Sequence, residues 1–155
     1  PLRRQRQMCI RDRLEIIKEK DINELITVEA NSPVMDALTI MAKFKIGALI
    51  VMHKNKMVGI VSERDYAREM ILEGRSSKDT LVKEIMTKKV ISLSSKDNFE
   101  KGLDIMTKKR IRHMPIMDGK KIIGMVSQGD LVKEMIAYQR ELIAELQSFV
   151  YERAW

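Results

Sequence analysis

The stretch that decides the fold is VGIVSERD, residues 58–65, whose counterpart 65 positions later is residues 123–130, the last eight residues of IIGMVSQGD at 122–130. In each copy, apolar residues lead into a glycine and then into a serine that stands three positions ahead of an aspartate. This pattern predicts a buried strand that breaks into a helix, with Ser62 or Ser127 as N-cap and Asp65 or Asp130 at the N3 position. A helix start of this kind offers backbone N–H groups to an anion.

The two stretches belong to a longer internal repeat. A shift of 65 positions aligns residues 26–71 with residues 91–136 without a gap, and 15 of the 46 aligned pairs are identical. A unit of this size buries too little surface to be stable alone. We therefore expect an α/β protein in which two β-α-β-β-α repeats pack together with pseudo-twofold symmetry.

Each repeat carries the signals of three strands. Two apolar runs, residues 48–52 and 57–61, are joined by polar residues, and Asp118-Gly119 marks the same hairpin turn in the second copy. A shorter strand, Leu25 to Val28 or Val90 to Leu93, opens each repeat. The hairpin runs are too continuously apolar for a sheet with one wet face, so we expect helices to cover both faces.

The helix starts follow from capping residues. In the first repeat the first helix is predicted to begin after Ser32 as cap, with Pro33 at N1. In the second repeat Ser95 or Asp97 can serve as the cap. Between the repeats, residues 81–86 are predicted to form a short helix after a polar linker.

The last helix is predicted to continue beyond the repeat. Its apolar residues recur at helical spacing to the end of the chain: Leu131, Met135, Tyr138, Leu142, Leu146 and Phe149. This stripe can pack on the chain's own core or dock against a second copy, and Trp155 could join the same contact. Because an unpartnered apolar stripe needs cover, we expect a homodimer.

The net charge of +7 is concentrated near the beginning of the chain. Residues 1–13 hold five arginines against one aspartate, in a run that resembles a translated adaptor sequence fused to a truncated reading frame. The alternative is a natural basic tail that touches an acidic partner. We expect a cytoplasmic protein, while a missing natural N-terminus leaves an organelle-targeting peptide open.

Composition argues against several functional classes. No apolar run is long enough for a membrane span, so no membrane partner is expected. Cys9 is the only cysteine and His53 and His113 are the only histidines, which leaves almost no material for a metal site or a Cys/His catalytic pair. Aromatic residues make up 5% of the chain, which argues against nucleic acid as a partner. We expect a protein without catalytic residues, because the paired aspartates lie in separate clefts.

A nucleotide is the ligand that the repeated motif favours. The helix start can hold a phosphate, while the neighbouring carboxylate can accept the hydroxyls of a ribose. Gly59 and Gly124 would let a ligand approach the backbone closely. As structure alone, the serine and aspartate form a capping box worth about 1 kcal/mol. Both readings stay open at this point.

The two copies differ in positive charge. Arg64 stands where the second copy has Gly129, so the two clefts cannot be chemically equal. Arg112-His113 occupies the positions of Gly47-Ala48 and is a plausible phosphate clamp. A solvated strand start with a surface histidine explains either residue alone equally well.

The paired motifs, together with RIRHMPI at 110–116 and EIMTKKVISLSSKDN at 84–98, resemble the tandem cystathionine-β-synthase (CBS) domain family. The likeness covers roughly residues 25–138 and includes both copies in order. It is strongest to small stand-alone CBS-pair proteins of bacteria and plant organelles. The resemblance implies binding of AMP, ADP, ATP or S-adenosylmethionine between the repeats, dimerisation, and signalling to a partner, with no obligatory cofactor.

The resemblance also assigns roles to individual positions. Asp65 and Asp130 match the ribose-binding aspartate, and Ser62 and Ser127 match the hydroxyl residue near the phosphate. The remaining matches are adenine-lining segments and variable phosphate contacts: Thr27, Val28, Gly47, Ala48, Ser92, Leu93, Met114 and Pro115 for adenine, and Arg64, Arg112 and His113 for phosphate.

The sequence thus predicts a non-enzymatic sensor of adenine nucleotides that acts on an unknown target protein. The alternative is a ligand-independent interaction module that regulates a redox enzyme such as a thioredoxin. The predicted boundaries are a basic tail at 1–13, the first repeat at 14–72, a linker at 73–82, the second repeat at 83–137 and a helical extension at 138–155.

Overall fold

The computed structural model describes residues 25–154, which fall into two compact units, residues 25–91 and residues 92–154. The predictions about the basic tail, about Cys9, about the beginning of the first repeat and about Trp155 lie outside the described residues.

The first unit holds a three-stranded sheet in the order β1-β2-β3. Its strands β1 and β2 run parallel, and β2 and β3 form an antiparallel hairpin. The elements in chain order are β1 Thr27–Glu29, α1 Val34–Phe44, β2 Ala48–His53, β3 Lys56–Ser62, α2 Glu63–Tyr66, a π-helix Ala67–Ile71 and α3 Val82–Ile85.

The second unit repeats this arrangement with a sheet in the order β4-β5-β6. Its elements are β4 Leu93–Ser94, α4 Phe99–Lys109, β5 His113–Asp118, β6 Lys121–Ser127 and α5 Gln128–Arg153. The predicted α/β class and the predicted order of strand, helix, strand, strand and helix are confirmed in both copies. The opening strands lie slightly later than predicted, at 27–29 and 93–94 instead of 25–28 and 90–93.

The two hairpins turn where the sequence predicts. Lys54 and Asn55 have φ of 49° and 61°, as a type I′ turn requires of both central residues. Asp118 pairs with Lys121 across a two-residue turn that begins with Gly119, whose φ is 59°. Turns of this hand match the right-handed twist of the strands that they join.

Both faces of the hairpin strand β2 are buried, as its apolar run predicts. Ala48, Leu49, Ile50 and Val51 alternate in direction along the strand, and all four are fully buried. One face contributes to a core that also includes residues of α1, β3, the π-helix and α3: Val34, Ala37, Met41, Val61, Met70, Val82 and Ile85.

The prediction that Ser32 caps α1 is wrong. The helix begins at Val34, and no side-chain cap is formed. The N–H groups of Val34 and Met35 instead donate to the carbonyl oxygens of Thr80 and Ser77, each at 2.9 Å. Backbone from a segment far along the chain therefore satisfies the donors that a cap would otherwise take.

The cap of α4 also differs from the prediction. Asn98 is the N-cap, and its side chain accepts a hydrogen bond from the Lys101 N–H at 2.9 Å. Asp97 instead accepts from the Ser94 N–H at 2.8 Å and closes the turn that leads out of β4. Ser95 is not the cap, because Asn98 occupies that position; the Ser95 N–H donates to the Met117 carbonyl oxygen of β5 at 2.8 Å.

The short helix predicted at 81–86 is confirmed as α3. Val82 is fully buried and Ile85 nearly so, both in the core of the first unit. The chain just after α3 lies beside β3, where Ile60 and Thr87 exchange backbone hydrogen bonds of 3.0 and 2.8 Å. Residues 82–91 therefore belong structurally to the first unit.

The predicted long final helix is confirmed as α5, which has 26 residues. Its first part packs on its own unit: Leu131 is fully buried, and the rings of Phe99 and Tyr138 lie 5.7 Å apart. Beyond Tyr138, its large apolar side chains are exposed. Among residues 25–154, no helix is both long enough and apolar enough to cross a membrane.

Candidate functional site

The candidate site of the first unit lies at one edge of its sheet. Because β1 and β2 are parallel and β3 is antiparallel to them, the beginnings of β1 and β2 meet the end of β3 there. Ala48 pairs with Ser62 across the hairpin, and the Glu63 N–H donates to the Gly47 carbonyl at 3.0 Å. Thr27 lies on the other side of β2, opposite Ile50.

The second unit brings its matching residues together in the same way. His113 pairs with Ser127, and the Gln128 N–H donates to the Arg112 carbonyl at 2.8 Å. Leu93 lies opposite Ile116 in the second half of β5, and because the two strands are parallel, the chain just before β4 runs beside the beginning of β5. Residues 14 positions apart, Ala48 with Ser62 and His113 with Ser127, are thus paired in both copies, because the hairpin register is the same.

The serine and aspartate of each copy form the predicted capping box. The Ser62 N–H donates to Asp65 Oδ2 at 2.8 Å, and the Asp65 N–H donates to Ser62 Oγ at 3.3 Å. In the second unit the corresponding distances between Ser127 and Asp130 are 2.8 and 3.1 Å. The two carboxylates are therefore held in the same orientation relative to their helices.

The helix starts are less open to an anion than the sequence suggests. In the first unit the N–H of Glu63 is bound to a carbonyl oxygen, and the N–H of Asp65 is bound to the cap hydroxyl. The N–H groups of Gln128 and Asp130 are used in the same way in the second unit. Since these donors are already satisfied, charged side chains at the edge must supply most of the attraction for a phosphate.

Basic side chains are distributed unequally between the two edges. The first has half-buried Arg64 directly after the cap, where the second has exposed Gly129. The second has exposed Arg112 and half-buried His113, where the first has Gly47 and buried Ala48. Each edge therefore presents positive charge from a different element, the helix start in the first unit and the hairpin strand in the second.

Several of the predicted adenine-lining residues belong to the core behind the edge. Val28 is 5% exposed, and Ala48, Leu93 and Met114 are fully buried. Pro115 is buried as well. These side chains shape the edge from within, while half-buried Thr27 and Gly47 and exposed Ser92 are the predicted positions that a ligand can touch.

Gly59 has a different role from the predicted one. A Cβ atom at this position would lie 2.6 Å from Met86 Sδ and 2.9 Å from the Thr87 carbonyl oxygen. The glycine is therefore required by the chain segment after α3, which passes directly over β3. This packing accounts for the glycine without a ligand.

A contact between the site helix and the linker is not predictable from the sequence motif. Tyr66 directly follows Asp65, and its hydroxyl oxygen accepts a hydrogen bond from Ser77 Oγ at 3.3 Å. Ser77 also holds the beginning of α1 through its carbonyl group. A tyrosine at the end of SERDY was the available signal, but the pattern does not say which residue it contacts.

No group of three or more possible metal ligands occurs among residues 25–154. The structure thus consists of two similar α/β units, each with a capped polar edge. The model of the CBS domain family matches residues 17–72 and 82–137, and the chain belongs to this family. Proteins built from such pairs are regulatory modules.

Known proteins resemble the chain over most of its length. It is 38% identical over 122 residues to the mitochondrial CBS domain-containing protein CBSX3 of Arabidopsis thaliana, an alignment that covers 76% of this chain and 59% of that protein. The alignment thus spans about three fifths of that relative. A solved structure of a protein with CBS domains from Burkholderia ambifaria is 45% identical, with a TM-score of 0.77, and covers 80% of this chain and 93% of that one.

The solved CBS domain pair of protein MJ0100 shares the fold at 24% identity and a TM-score of 0.66, covering 75% of this chain and 91% of that one. That pair was determined in complex with 5′-methylthioadenosine and S-adenosyl-L-methionine.

Proposed function

We propose that the protein is a non-enzymatic regulatory module that binds an adenosine-containing ligand, AMP, ADP, ATP or S-adenosylmethionine, at its sheet edges. The observation that carries the proposal is the repeated edge itself. Both units hold a serine and an aspartate in the same capping box, beside the residue pairs 47–48 and 112–113. The adenosyl ligands of the MJ0100 pair support the ligand class.

The proposed roles follow from the chemistry of the edge. Asp65 Oδ2 accepts two hydrogen bonds, one from the Ser62 N–H and one from the Ser62 hydroxyl group, each at 2.8 Å. Oδ1 is therefore the oxygen that can accept a hydrogen bond from a ribose hydroxyl. Arg112 and His113 form the phosphate contacts of the second unit, and Arg64 forms that of the first. A guanidinium group binds phosphate oxygens through charge-assisted hydrogen bonds.

The capping boxes also suggest how a bound ligand is reported. A ribose on Asp65 holds the start of α2, and Tyr66 passes that constraint to Ser77 in the linker. The target protein would then read the altered linker or the surface of a homodimer. The target would be regulated by conformational change, without any reaction of the ligand.

Isothermal titration calorimetry of the whole chain with AMP, ATP and S-adenosylmethionine tests the proposal. We expect binding of at least one ligand and a loss of affinity of about tenfold or more in the double variant Asp65→Ala/Asp130→Ala, because each ribose contact to a carboxylate is worth about 1.5–3 kcal/mol. Asp104→Ala is the matched control, since Asp104 lies exposed on α4 and pairs only with Lys108. Absence of heat with all three ligands would contradict the proposal, as would unchanged affinity in the double variant.

A second comparison separates phosphate recognition from adenosine recognition. Arg112→Ala should weaken ATP binding in the second unit more than S-adenosylmethionine binding, because only ATP carries phosphates. If the target protein is captured equally with and without ligand, the module acts as a ligand-independent interaction module instead.

A further inference from the structure

Among the described residues, His113 is the only histidine at either candidate edge. Histidine ordinarily titrates near pH 6.5, whereas arginine and aspartate keep their charges on both sides of that value. His113 begins β5 and is half-buried, and the corresponding position of the first unit holds buried Ala48. The edge of the second unit, here called the second edge, therefore has a side chain whose charge changes in the physiological pH range.

The hairpin register brings His113 to the capping box of the second unit. His113 pairs with Ser127, and paired residues direct their side chains to the same face of a sheet, with Cβ atoms about 4.5–5.5 Å apart. The N–H of Ser127 in turn donates to Asp130 Oδ2 at 2.8 Å. A proton on His113 thus adds a positive charge beside the groups that are proposed to hold the ribose and the phosphate.

Charged side chains of opposite sign lie on the two sides of His113 in its own unit. Three basic residues end α4 and lead into β5: Lys109, Arg110 and Arg112. Asp130 lies on the other side, at the start of α5, and residues 92–94, which include β4, carry no charge. The basic residues oppose protonation of the imidazole and the carboxylate favours it. Because these influences act in opposite directions, the ordinary range of histidine near pH 6.5 is the range to test.

The proposed ligands differ in charge on the 5′ side of the ribose. AMP, ADP and ATP carry negative phosphates there, while S-adenosylmethionine carries a positive sulfonium group. An imidazolium attracts the phosphates and repels the sulfonium. Protonation of His113 should therefore strengthen the binding of one ligand class and weaken the binding of the other.

We propose that His113 selects between these two ligand classes at the second edge according to pH, with phosphate-bearing ligands favoured in acid and S-adenosylmethionine favoured above neutrality. The inference rests on the proposed function, because it concerns the same edge. The first edge would lack this selection, since Ala48 has no charge to change and Arg64 keeps its charge at both pH values. The module would then respond to acidification as well as to ligand concentration.

Isothermal titration calorimetry of the whole chain at about pH 5.8 and about pH 7.8 tests the selection. Asp65→Ala serves as the background, because it weakens the first edge and leaves the second intact. For each ligand the measured quantity is the ratio of the affinities at the two pH values, relative to the same ratio in His113→Gln. Titration of the phosphates themselves cancels in this comparison, because it affects both proteins equally.

Relative to His113→Gln, the ratio of acid to alkaline affinity should be about threefold or more higher for ATP and lower by a similar factor for S-adenosylmethionine. A shift of half a unit in a pKa on binding changes an affinity by about this factor. His53→Gln is the matched control: it removes the other histidine, which ends β2 beside the hairpin turn and pairs with Lys56. His53→Gln should keep the pH response of the background.

Circular dichroism checks that the variants fold. His113→Ala, which places the residue of the first unit at this position, replaces His113→Gln if the glutamine disturbs the hairpin. An unchanged ratio in the His113 variant, or changes in the same direction for both ligands, would overturn the selection while leaving ligand binding intact. Absence of binding of either ligand at both pH values would overturn the proposed function itself, so the two failures are distinguishable.

Discussion

Gly59 is placed where two parts of the first unit come into direct contact. The chain after α3 passes over β3 so closely that the Thr87 carbonyl oxygen would lie 2.9 Å from a Cβ atom at this position. Backbone cannot move away without breaking the paired hydrogen bonds between Ile60 and Thr87. The absence of a side chain is thus a packing requirement.

Gly59→Ala should therefore destabilise the protein by about 1–3 kcal/mol, as insertion of a methyl group into a filled space does. Urea unfolding followed by circular dichroism measures this loss. Gly129→Ala is the matched control, because its Cβ would meet only Ser127 Oγ at 3.7 Å and alanine favours a helix. Equal stabilities of the two variants would contradict the packing role.

Residues whose roles are set by near neighbours were predictable, and those set by distant segments were not. Ser62 and Asp65 lie three positions apart in the sequence, so the motif alone predicts the hydrogen bonds between them. Ser32 fails as a cap because Thr80, almost 50 residues later, supplies the acceptor. The motif around Gly59 indicates a close approach by a ligand, because nothing in that motif points to Met86.

The two closing helices begin identically and then differ. Both start with the same capping box, but α2 passes after one turn into a π-helix, whereas α5 stays α-helical to Arg153. The bond from the Leu72 N–H to the Ala67 carbonyl, at 3.4 Å, spans five residues, as expected for a π-helix. The wider π-helical turn leads the chain into the linker. The two copies of the sequence repeat therefore continue differently after the same helix start.

Protonation of Asp97, in the turn before α4, should affect the stability of the protein. Partial burial acts to raise the pKa of Asp97, but the Lys101 ammonium group at 2.7 Å and the Ser94 N–H outweigh it, so the pKa of this carboxyl group is lowered below 3.8. A lowered pKa in the folded state adds stability above the pKa of the unfolded chain, and this stability is lost as the pH falls through the folded pKa.

Asp97→Asn should therefore be less stable than the natural sequence at pH 6, by less than about 1 kcal/mol because Lys101 is largely exposed. The difference should shrink as the pH is lowered from about 4 to 3, which urea midpoints at several pH values can follow. In the exposed pair of Asp104 and Lys108, Asp104→Asn should have little effect. A difference for Asp97→Asn that grows in acid would contradict the assignment.

At the scale of the whole molecule, the boundary between the two sequence repeats differs from the boundary between the two structural units. The second family match begins at residue 82, yet Val82 is fully buried in the core of the first unit. The repeat, the strand order and the two hairpins were predictable because they depend on local patterns. The unit to which α3 belongs was not, because its amphipathic pattern does not identify the surface that covers it.

Val82→Ala tests this assignment. The substitution should cost roughly 1–2.5 kcal/mol through lost burial and a small cavity. Hydrogen exchange should report the loss in β2 and β3, which lie in the core that Val82 helps to form, while the amides of β5 and β6 keep their protection. Loss of protection confined to residues 92–154 would show that α3 belongs with the second unit.

The hydrogen bonds that hold residues 77–87 to the first unit also determine what a protease would do. Residues 72–76 are all exposed and make an accessible cleavage site. A cut there would not separate the two fragments, because buried Val82 and the backbone hydrogen bonds between Ile60 and Thr87 keep the chain after the cut attached to the first unit. The nicked protein would run as two bands on a denaturing gel and still elute as a single folded species.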